Sequence, residues 1–82
     1  MLVLAVPRRH QFAGSRTVIF GELGAEPFVL YEEGSMLREL TLATAAAASF
    51  TVRSTLEASG NDTVRAFVAA GVGVSLCPDP SP

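Results

Sequence analysis

Short apolar runs alternate with helix-like stripes along this chain, and turn residues close each run. The first run, residues 2–6, is typical of a short strand that ends at Pro7, because proline has no amide donor for a strand ladder. Residues 28–31 follow Pro27 as a continuous apolar run, which is typical of a strand buried on both faces of a parallel sheet. We take this second run as the central strand.

The segment between these two runs shows no hydrophobic period. Residues 8–16 mix charged side chains with one histidine and one glycine, and we interpret them as a connector in which His10 is solvated. A short apolar patch at residues 18–20 and a helical turn at residues 21–25 lead into the central strand.

A helix is predicted directly after the central strand. Ser35 is a suitable N-cap, with Glu39 nearby, and Thr41 is expected on the polar side of the helix. Five apolar residues recur at helical spacing, which predicts one buried face made of Met36, Leu40, Ala43, Ala47 and Phe50.

The second half of the chain predicts a strand, a helix and a strand. Residues 51–58 alternate between apolar and polar, which is typical of an edge strand. Residues 59–62 provide a turn and cap for a short helix that ends at Gly71, where glycine adopts the left-handed conformation without a steric penalty. Residues 73–77 form a last apolar strand, closed by Pro78.

This order of elements predicts an α/β fold, because parallel strands joined by right-handed crossovers are the common way to pack it. The expected spatial order is residues 51–58, then 28–31, then 73–77. Ligands of such sheets bind beyond the carboxyl ends of the strands. Two such ends, residues 31–35 and 58–62, run into helix N-termini, whose free amides suit a small anionic ligand. Ordinary helix capping is the alternative explanation.

Composition and charge narrow the function classes. The 82 residues are 49% hydrophobic and 17% charged, with a mean hydropathy of +0.38, which excludes disorder and indicates apolar surface that meets a partner. The net charge is −2 and all 6 basic residues are arginine, so no basic stripe exists for nucleic acid.

The apolar N-terminal run precedes Arg8 and Arg9, the reverse of the order in a secretory signal, and no apolar stretch is long enough to span a bilayer. We therefore expect a cytoplasmic protein with no membrane contact.

Candidate chemistry is sparse. Cys77 and His10 are the only thiol and imidazole, and they lie at opposite ends of the chain without a motif that pairs them. A buried structural role for Cys77 is favoured, and the two residues cannot supply a tetrahedral zinc set. Glu32 and Glu33 are expected to be solvated. The sequence thus predicts no catalytic residue, no metal site and no cofactor.

Ordered pieces of the chain resemble the effector-binding domain of LysR-type transcriptional regulators. These pieces are residues 2–7 with His10 and Ala13, residues 27–31 with Gly34 and Ser35, and residues 68–74 with Pro78. The resemblance covers nearly the whole chain, and the closing stretch contributes most to it.

The resemblance implies a type II periplasmic-binding-protein-like subdomain, incomplete here, with a mostly parallel sheet and flanking helices. Residues 1–11 would supply a strand and hinge from subdomain one, and residues 12–82 most of subdomain two, while the winged helix-turn-helix that reads DNA is absent. The implied function is effector sensing by a bacterial regulator, without enzymatic activity. The implied assembly is a homodimer or tetramer that contacts DNA only through the missing domain.

Gly34 and Ser35 match the loop and helix start that line the effector cleft in this family, and residues 59–62 fall where a second cleft loop would be. The predicted effector-binding residues are Gly34, Ser35, Met36, Gly60, Asn61 and Asp62. Two alternatives stay open: a fragment of a periplasmic solute-binding protein with the same fold, and a small standalone enzyme that uses Cys77.

Overall fold

Strands and helices alternate in the computed structural model, which describes residues 2–79. The elements in chain order are β1 (Leu2–Ala5), a 3-10 turn (Phe20–Leu23), β2 (Pro27–Tyr31), α1 (Met36–Ala47), β3 (Arg53–Ala58), α2 (Asn61–Ala69) and β4 (Ser75–Pro78). The predicted α/β class is confirmed. The apolar patch at residues 18–20 leads into the 3-10 turn and forms no strand with any described residue.

Two strand pairs build the sheet. β2 and β3 are parallel, with Tyr31 opposite Ala58, and β1 and β4 are antiparallel. One bridge between Phe28 and Val74 joins the pairs, through hydrogen bonds from the Val29 amide to the Val74 carbonyl and from the Val74 amide to the Pro27 carbonyl (2.9 Å each). β2 thus lies between β3 and the chain that enters β4, as predicted. The rest of β4 pairs with β1, a partner that the apolar pattern did not specify.

Two apolar clusters form the core. The first lies under α2 and consists of Val29, Tyr31, Ala58, Val64, Val68 and Cys77. The second lies around Leu23, Phe28 and Val74, where the Phe20 and Phe50 rings stack with centroids 5.6 Å apart. Phe28 and Cys77 are both fully buried, which confirms the central strand and the structural interpretation of the cysteine.

The buried face predicted for α1 is wrong. Met36 is 83% exposed and Leu40 is 40% exposed, whereas Thr41 and Ala45 are buried. Thr41 tolerates burial because its hydroxyl donates to the Leu37 carbonyl (2.7 Å), so no polar atom is left without a partner. The small side chain of Ala45 completes this contact face and lets the helix lie close to the sheet.

Phe50 lies outside the helix, contrary to the predicted stripe. α1 ends at Ala47, and Ser49 has φ 68°, which turns the backbone away from the helix axis. Phe50 therefore points toward Phe20 and Phe28 instead of continuing a helical face. The helical spacing of apolar residues in the sequence therefore continued beyond the actual end of α1, to Phe50.

His10 is packed rather than solvated, which corrects the sequence interpretation. Its side chain is 11% exposed, and its Nε2 lies 2.7 Å from Glu26 Oε1. The Phe12 amide donates to His10 Nδ1 (3.1 Å), so Nδ1 carries no proton and Nε2–H donates to the carboxylate. This pair fixes the connector against the residue that precedes β2.

Candidate functional site

The carboxyl ends of β2 and β3 meet at one edge of the sheet. Tyr31 and Ala58 are register partners at the last position of their strands. The Glu32 amide donates to the Ala58 carbonyl (3.1 Å), which extends the pairing just past β2. Both loops that contain the predicted effector residues therefore leave the sheet side by side.

The first loop is a glycine turn followed by a capped helix. Gly34 is exposed and has φ +92°, a conformation that residues with a side chain rarely adopt. Ser35 is the N-cap of α1, and its Oγ accepts from the Leu37 amide (3.2 Å). Met36 extends into solvent. The Ser35 hydroxyl is thus engaged by its own helix, while its proton remains available as a donor.

The second loop starts α2 without a side-chain cap. Gly60 is the N-cap, with φ +83°, and α2 has no side-chain cap hydrogen bond within the described residues. Asn61 Oδ1 accepts from the Tyr31 hydroxyl (2.8 Å). Asp62 Oδ1 accepts from an Arg65 guanidinium nitrogen (3.0 Å). The loop therefore presents exposed backbone amides next to one amide and one carboxylate side chain, both already oriented.

Tyr31 was not singled out as a site residue from the sequence, yet it connects the two loops. Its side chain is nearly buried at the end of β2, and burial raises its pKa. The nearby Cys77 thiol raises the pKa further, and the Arg65 guanidinium opposes both effects. The phenol therefore keeps its proton and acts as a donor. The available signal was a tyrosine ending an apolar strand, since a buried tyrosine hydroxyl needs a hydrogen-bond partner.

Arg38 also supports this edge. Its Nη1 donates to the Tyr31 carbonyl (3.0 Å) and lies 3.0 Å from Glu57 Oε2. The Arg38 side chain is 16% exposed, so the contact with Glu57 is partly shielded from water. One guanidinium therefore ties the first turns of α1 to the ends of both parallel strands.

Cys77 and His10 do not form a catalytic pair. The Cys77 thiol is fully buried, and burial raises its pKa, with Arg65 opposing the shift. A raised pKa disfavours the thiolate, which is the nucleophilic form. His10 Nε2 is occupied by Glu26, as described above. Among residues 2–79, no group of His, Cys, Asp and Glu side chains is arranged to hold a metal ion, and no helix has the length and apolarity needed to cross a membrane.

Two surface grooves lie away from the predicted residues. One, of about 660 Å³, is lined by Ala5, Val6, Arg8, Ala13, Arg65 and Val68, among others. The other, of about 430 Å³, lies over β1 and the connector. None of the six predicted effector residues lines either groove. Neither groove therefore lies at the edge where β2 and β3 end.

Comparison with protein families and curated proteins gives one consistent family. The model of the LysR substrate binding domain matches residues 1–81. The transcriptional dual regulator GltC of Bacillus subtilis (strain 168) is 36% identical over 74 residues, 90% of this chain and 25% of the relative. The RuBisCO operon transcriptional regulator of Allochromatium vinosum is 32% identical over 75 residues, 92% of this chain and 25% of the relative. The chain therefore spans about a quarter of the length of these curated relatives.

Solved structures agree with the fold. The CcmR regulatory domain of Synechocystis PCC6803, solved in complex with 2-PG, is 29% identical with a TM-score of 0.84, covering 93% of this chain and 36% of that domain. The effector-binding domain of QuiR in complex with shikimate gives a TM-score of 0.88 at 19% identity, over 98% of this chain and 38% of that one. The QuiR match shows a shared fold. Because it covers 98% of this chain, it includes both strand pairs.

Proposed function

The chain belongs to the family of LysR substrate-binding domains, and from this premise we propose that it is the effector-sensing segment of a bacterial LysR-type transcriptional regulator. The observation that carries the proposal is the family match over residues 1–81. The relatives found are transcriptional regulators, and the proposal adds that this segment performs no chemistry of its own. The buried, protonated thiol of Cys77 supports that addition.

The proposed ligand is a small anionic effector held at the edge where β2 and β3 end. Gly34, Ser35 and Met36 would contact it from the first loop, and Gly60, Asn61 and Asp62 from the second. The parallel register supports this placement because it brings the two loops side by side. The uncapped first turn of α2 supports the choice of an anion, since backbone amides there point toward the loop. A related regulatory domain solved with 2-PG gives a precedent for small-molecule binding.

The proposed division of the chain assigns residues 1–11 to a strand and hinge of subdomain one and residues 12–82 to most of subdomain two. DNA would be contacted only through a separate winged helix-turn-helix, in a cytoplasmic protein. The turn after Pro7 and the His10 contact with Glu26 support a defined connector at this place. β1 pairs along its whole length with β4, so the strand assigned to subdomain one is hydrogen-bonded to the last strand of the proposed subdomain two.

The proposed assembly is a homo-oligomer. The helical stripe of Met36, Leu40, Ala43 and Ala47 was expected in the core and is exposed instead, which leaves an apolar face on α1. β3 adds an unpaired strand edge, because its only partner among the described residues is β2. Exposed apolar faces and unpaired strand edges each commonly meet another protein surface. Light scattering tests this proposal, and a strictly monomeric chain would contradict it.

The test of effector binding is an NMR titration of the ¹⁵N-labelled chain with 2-PG and with a panel of small carboxylates and phosphates. A ligand that binds as proposed shifts the amide signals of residues 34–36 and 60–62 together. Ser35→Ala should weaken binding, while Ser15→Ala, an exposed serine on the connector, should leave it unchanged. Shifts confined to the groove around Arg8 and Arg65, or no shifts with the whole panel, would overturn the proposed site.

A gel shift tests the remaining part of the proposal. The chain carries a net charge of −2 and no run of basic residues, so it should not retard DNA. Retardation by the chain at sub-micromolar concentration would mean that this segment reads DNA itself, contrary to the proposed division of labour.

A further inference from the structure

The hydrogen bond between Tyr31 and Asn61 joins two residues that are 30 positions apart in the sequence. Tyr31 ends β2 and is 5% exposed, whereas Asn61 begins α2 and is exposed. The donor is the phenol hydroxyl and the acceptor is Asn61 Oδ1, at 2.8 Å. A nearly buried group thus holds one end of a side chain whose other end reaches solvent.

The hydrogen bond fixes the direction of the Asn61 amide. An asparagine amide has an accepting oxygen and a donating nitrogen, and rotation by half a turn exchanges them. Such a rotation would remove the oxygen that accepts the phenol proton. Arg65, the charged neighbour of Tyr31, offers only donors and cannot replace that oxygen. Oδ1 is therefore held toward the core, and Nδ2 is directed outward.

We propose that Tyr31 is a positioning residue that makes Asn61 present its two Nδ2 protons to the effector. The inference rests on the proposed effector-sensing function and deepens it, because it names what the second loop recognises. A neutral double donor selects effector oxygens that accept hydrogen bonds, such as those of a carboxylate or phosphate. It gives no favourable contact to an ammonium group at the same place.

The carboxylate of Asp62 does not cancel the preference of Asn61 for effector oxygens. This carboxylate is engaged by Arg65 in the same helical turn, at 3.0 Å, so the acid next to Asn61 already has a cationic partner. Arg65 is also the cation that lowers the pKa of Tyr31 against burial, so it lies near both residues. The second loop thus combines an outward donor with a paired acid.

The test compares Tyr31→Phe and Asn61→Asp, with inorganic phosphate as the probe. The backbone amide signals of residues 60–62 report binding in every variant, and the Asn61 side-chain amide signals report the direct contact in the parent chain and in Tyr31→Phe. Tyr31→Phe keeps the ring but releases the amide, and we expect phosphate binding about 3- to 10-fold weaker, within the range of one lost hydrogen bond. Asn61→Asp keeps an oxygen for Tyr31 and replaces the outward donor with a carboxylate oxygen. We expect this variant to lose phosphate binding by at least about 10-fold, the effect of about 1.4 kcal/mol.

The stability of the variants separates positioning from a purely structural role. Asn61→Asp keeps the contact with Tyr31 and places an acid at a helix start, so its urea midpoint should equal or exceed that of the parent chain. Ala66→Asp, an exposed position further along α2, is the control for added charge and should weaken binding less. Lost phosphate binding at unchanged stability in Asn61→Asp would show that the outward donor serves binding rather than the fold.

The outcomes distinguish this inference from the proposed function. Phosphate binding that is equal in the parent chain, Tyr31→Phe and Asn61→Asp would overturn the inference. Ligands that shift residues 34–36 and 60–62 but leave the Asn61 side-chain amide unmoved would also overturn it, while the proposed effector site would stand. If no ligand of the panel shifts either loop, the proposed function fails, and with it the inference.

Discussion

Replacing Gly73 with alanine tests how the two strand pairs are joined. A Cβ atom at this position would lie 2.5 Å from the Pro27 oxygen and 2.9 Å from the Pro27 carbonyl carbon. Both atoms belong to the backbone of β2, so no side-chain rotation relieves the contact. The same Pro27 oxygen accepts from the Val74 amide at 2.9 Å. Gly73→Ala therefore forces the chain apart at the bridge between Phe28 and Val74.

The size of the effect follows from what that separation breaks. Two backbone hydrogen bonds cross the bridge, from Val74 to Pro27 and from Val29 to Val74, each with a net contribution of about 1 kcal/mol. Crowding in the buried cluster around Phe28 adds about 1–3 kcal/mol. The expected loss of about 3–5 kcal/mol is large for a chain of this length, whose total stability is about 4–12 kcal/mol by the usual value per residue.

Urea unfolding followed by far-ultraviolet circular dichroism measures this loss, and Gly71→Ala is the matched control. Gly71 has φ +87°, and a Cβ there would meet nothing within 4 Å, so alanine adds backbone strain without a clash. The left-handed conformation should cost that variant about 1–2 kcal/mol. The reasoning is refuted if Gly73→Ala lies within about 1 kcal/mol of the parent chain or is the more stable of the two variants.

Three further perturbations address the connector, the helix face and the buried thiol. Glu26→Ala leaves the largely buried His10 Nε2–H without its acceptor, and urea unfolding should show a loss of about 1–2 kcal/mol; no loss would mean that water replaces the carboxylate. Ala45→Leu should destabilise by about 1–3 kcal/mol and the exposed Ala43→Leu by less than about 0.5, and the opposite ranking would restore the face predicted from the sequence. Burial raises the pKa of Cys77 above its ordinary 9.0, so the folded chain keeps a proton that the unfolded chain releases. The urea midpoint should therefore fall as the pH rises above 9, less steeply in Cys77→Ala, and a midpoint that rises would contradict the direction of the shift.

The sequence pattern located strands better than it located faces. Residues 28–31 form a continuous apolar run, which is typical of a strand covered on both sides, and the buried β2 bears this out. The face predicted for α1 was wrong because alanine is compatible with both a core face and a solvent face, so the apolar spacing did not identify the buried side. The buried face contains Thr41. Its hydroxyl donates a hydrogen bond to the Leu37 carbonyl within the helix, so burying this polar side chain carries no cost from an unpaired hydroxyl. This hydrogen bond depends on side-chain geometry, so the spacing of hydrophobic residues could not predict it.

In the candidate site, too, the sequence predicted the position of the loops but not the side-chain contacts between them. That two loops meet at one edge follows from parallel strands, and the register of Tyr31 with Ala58 shows it. The contacts of Tyr31 with Asn61, and of Arg38 with Glu57, join residues that are distant in the chain. Local spacing carries no information on such pairs. His10 failed as a prediction for this reason, since its partner Glu26 lies 16 residues away.

The pairing of β1 with β4 has a consequence for how the chain folds. Leu2 and Pro78, which are register partners, lie 76 residues apart, whereas Tyr31 and Ala58 lie 27 apart. Closing the longer loop costs more chain entropy, so the parallel pair with α1 is expected to form first and the outer antiparallel pair last. During synthesis, β1 then cannot form its hydrogen bonds with β4 until β4 has left the ribosome. Until that moment Val3, which packs against the core cluster in the finished fold, remains open to water and to other chains.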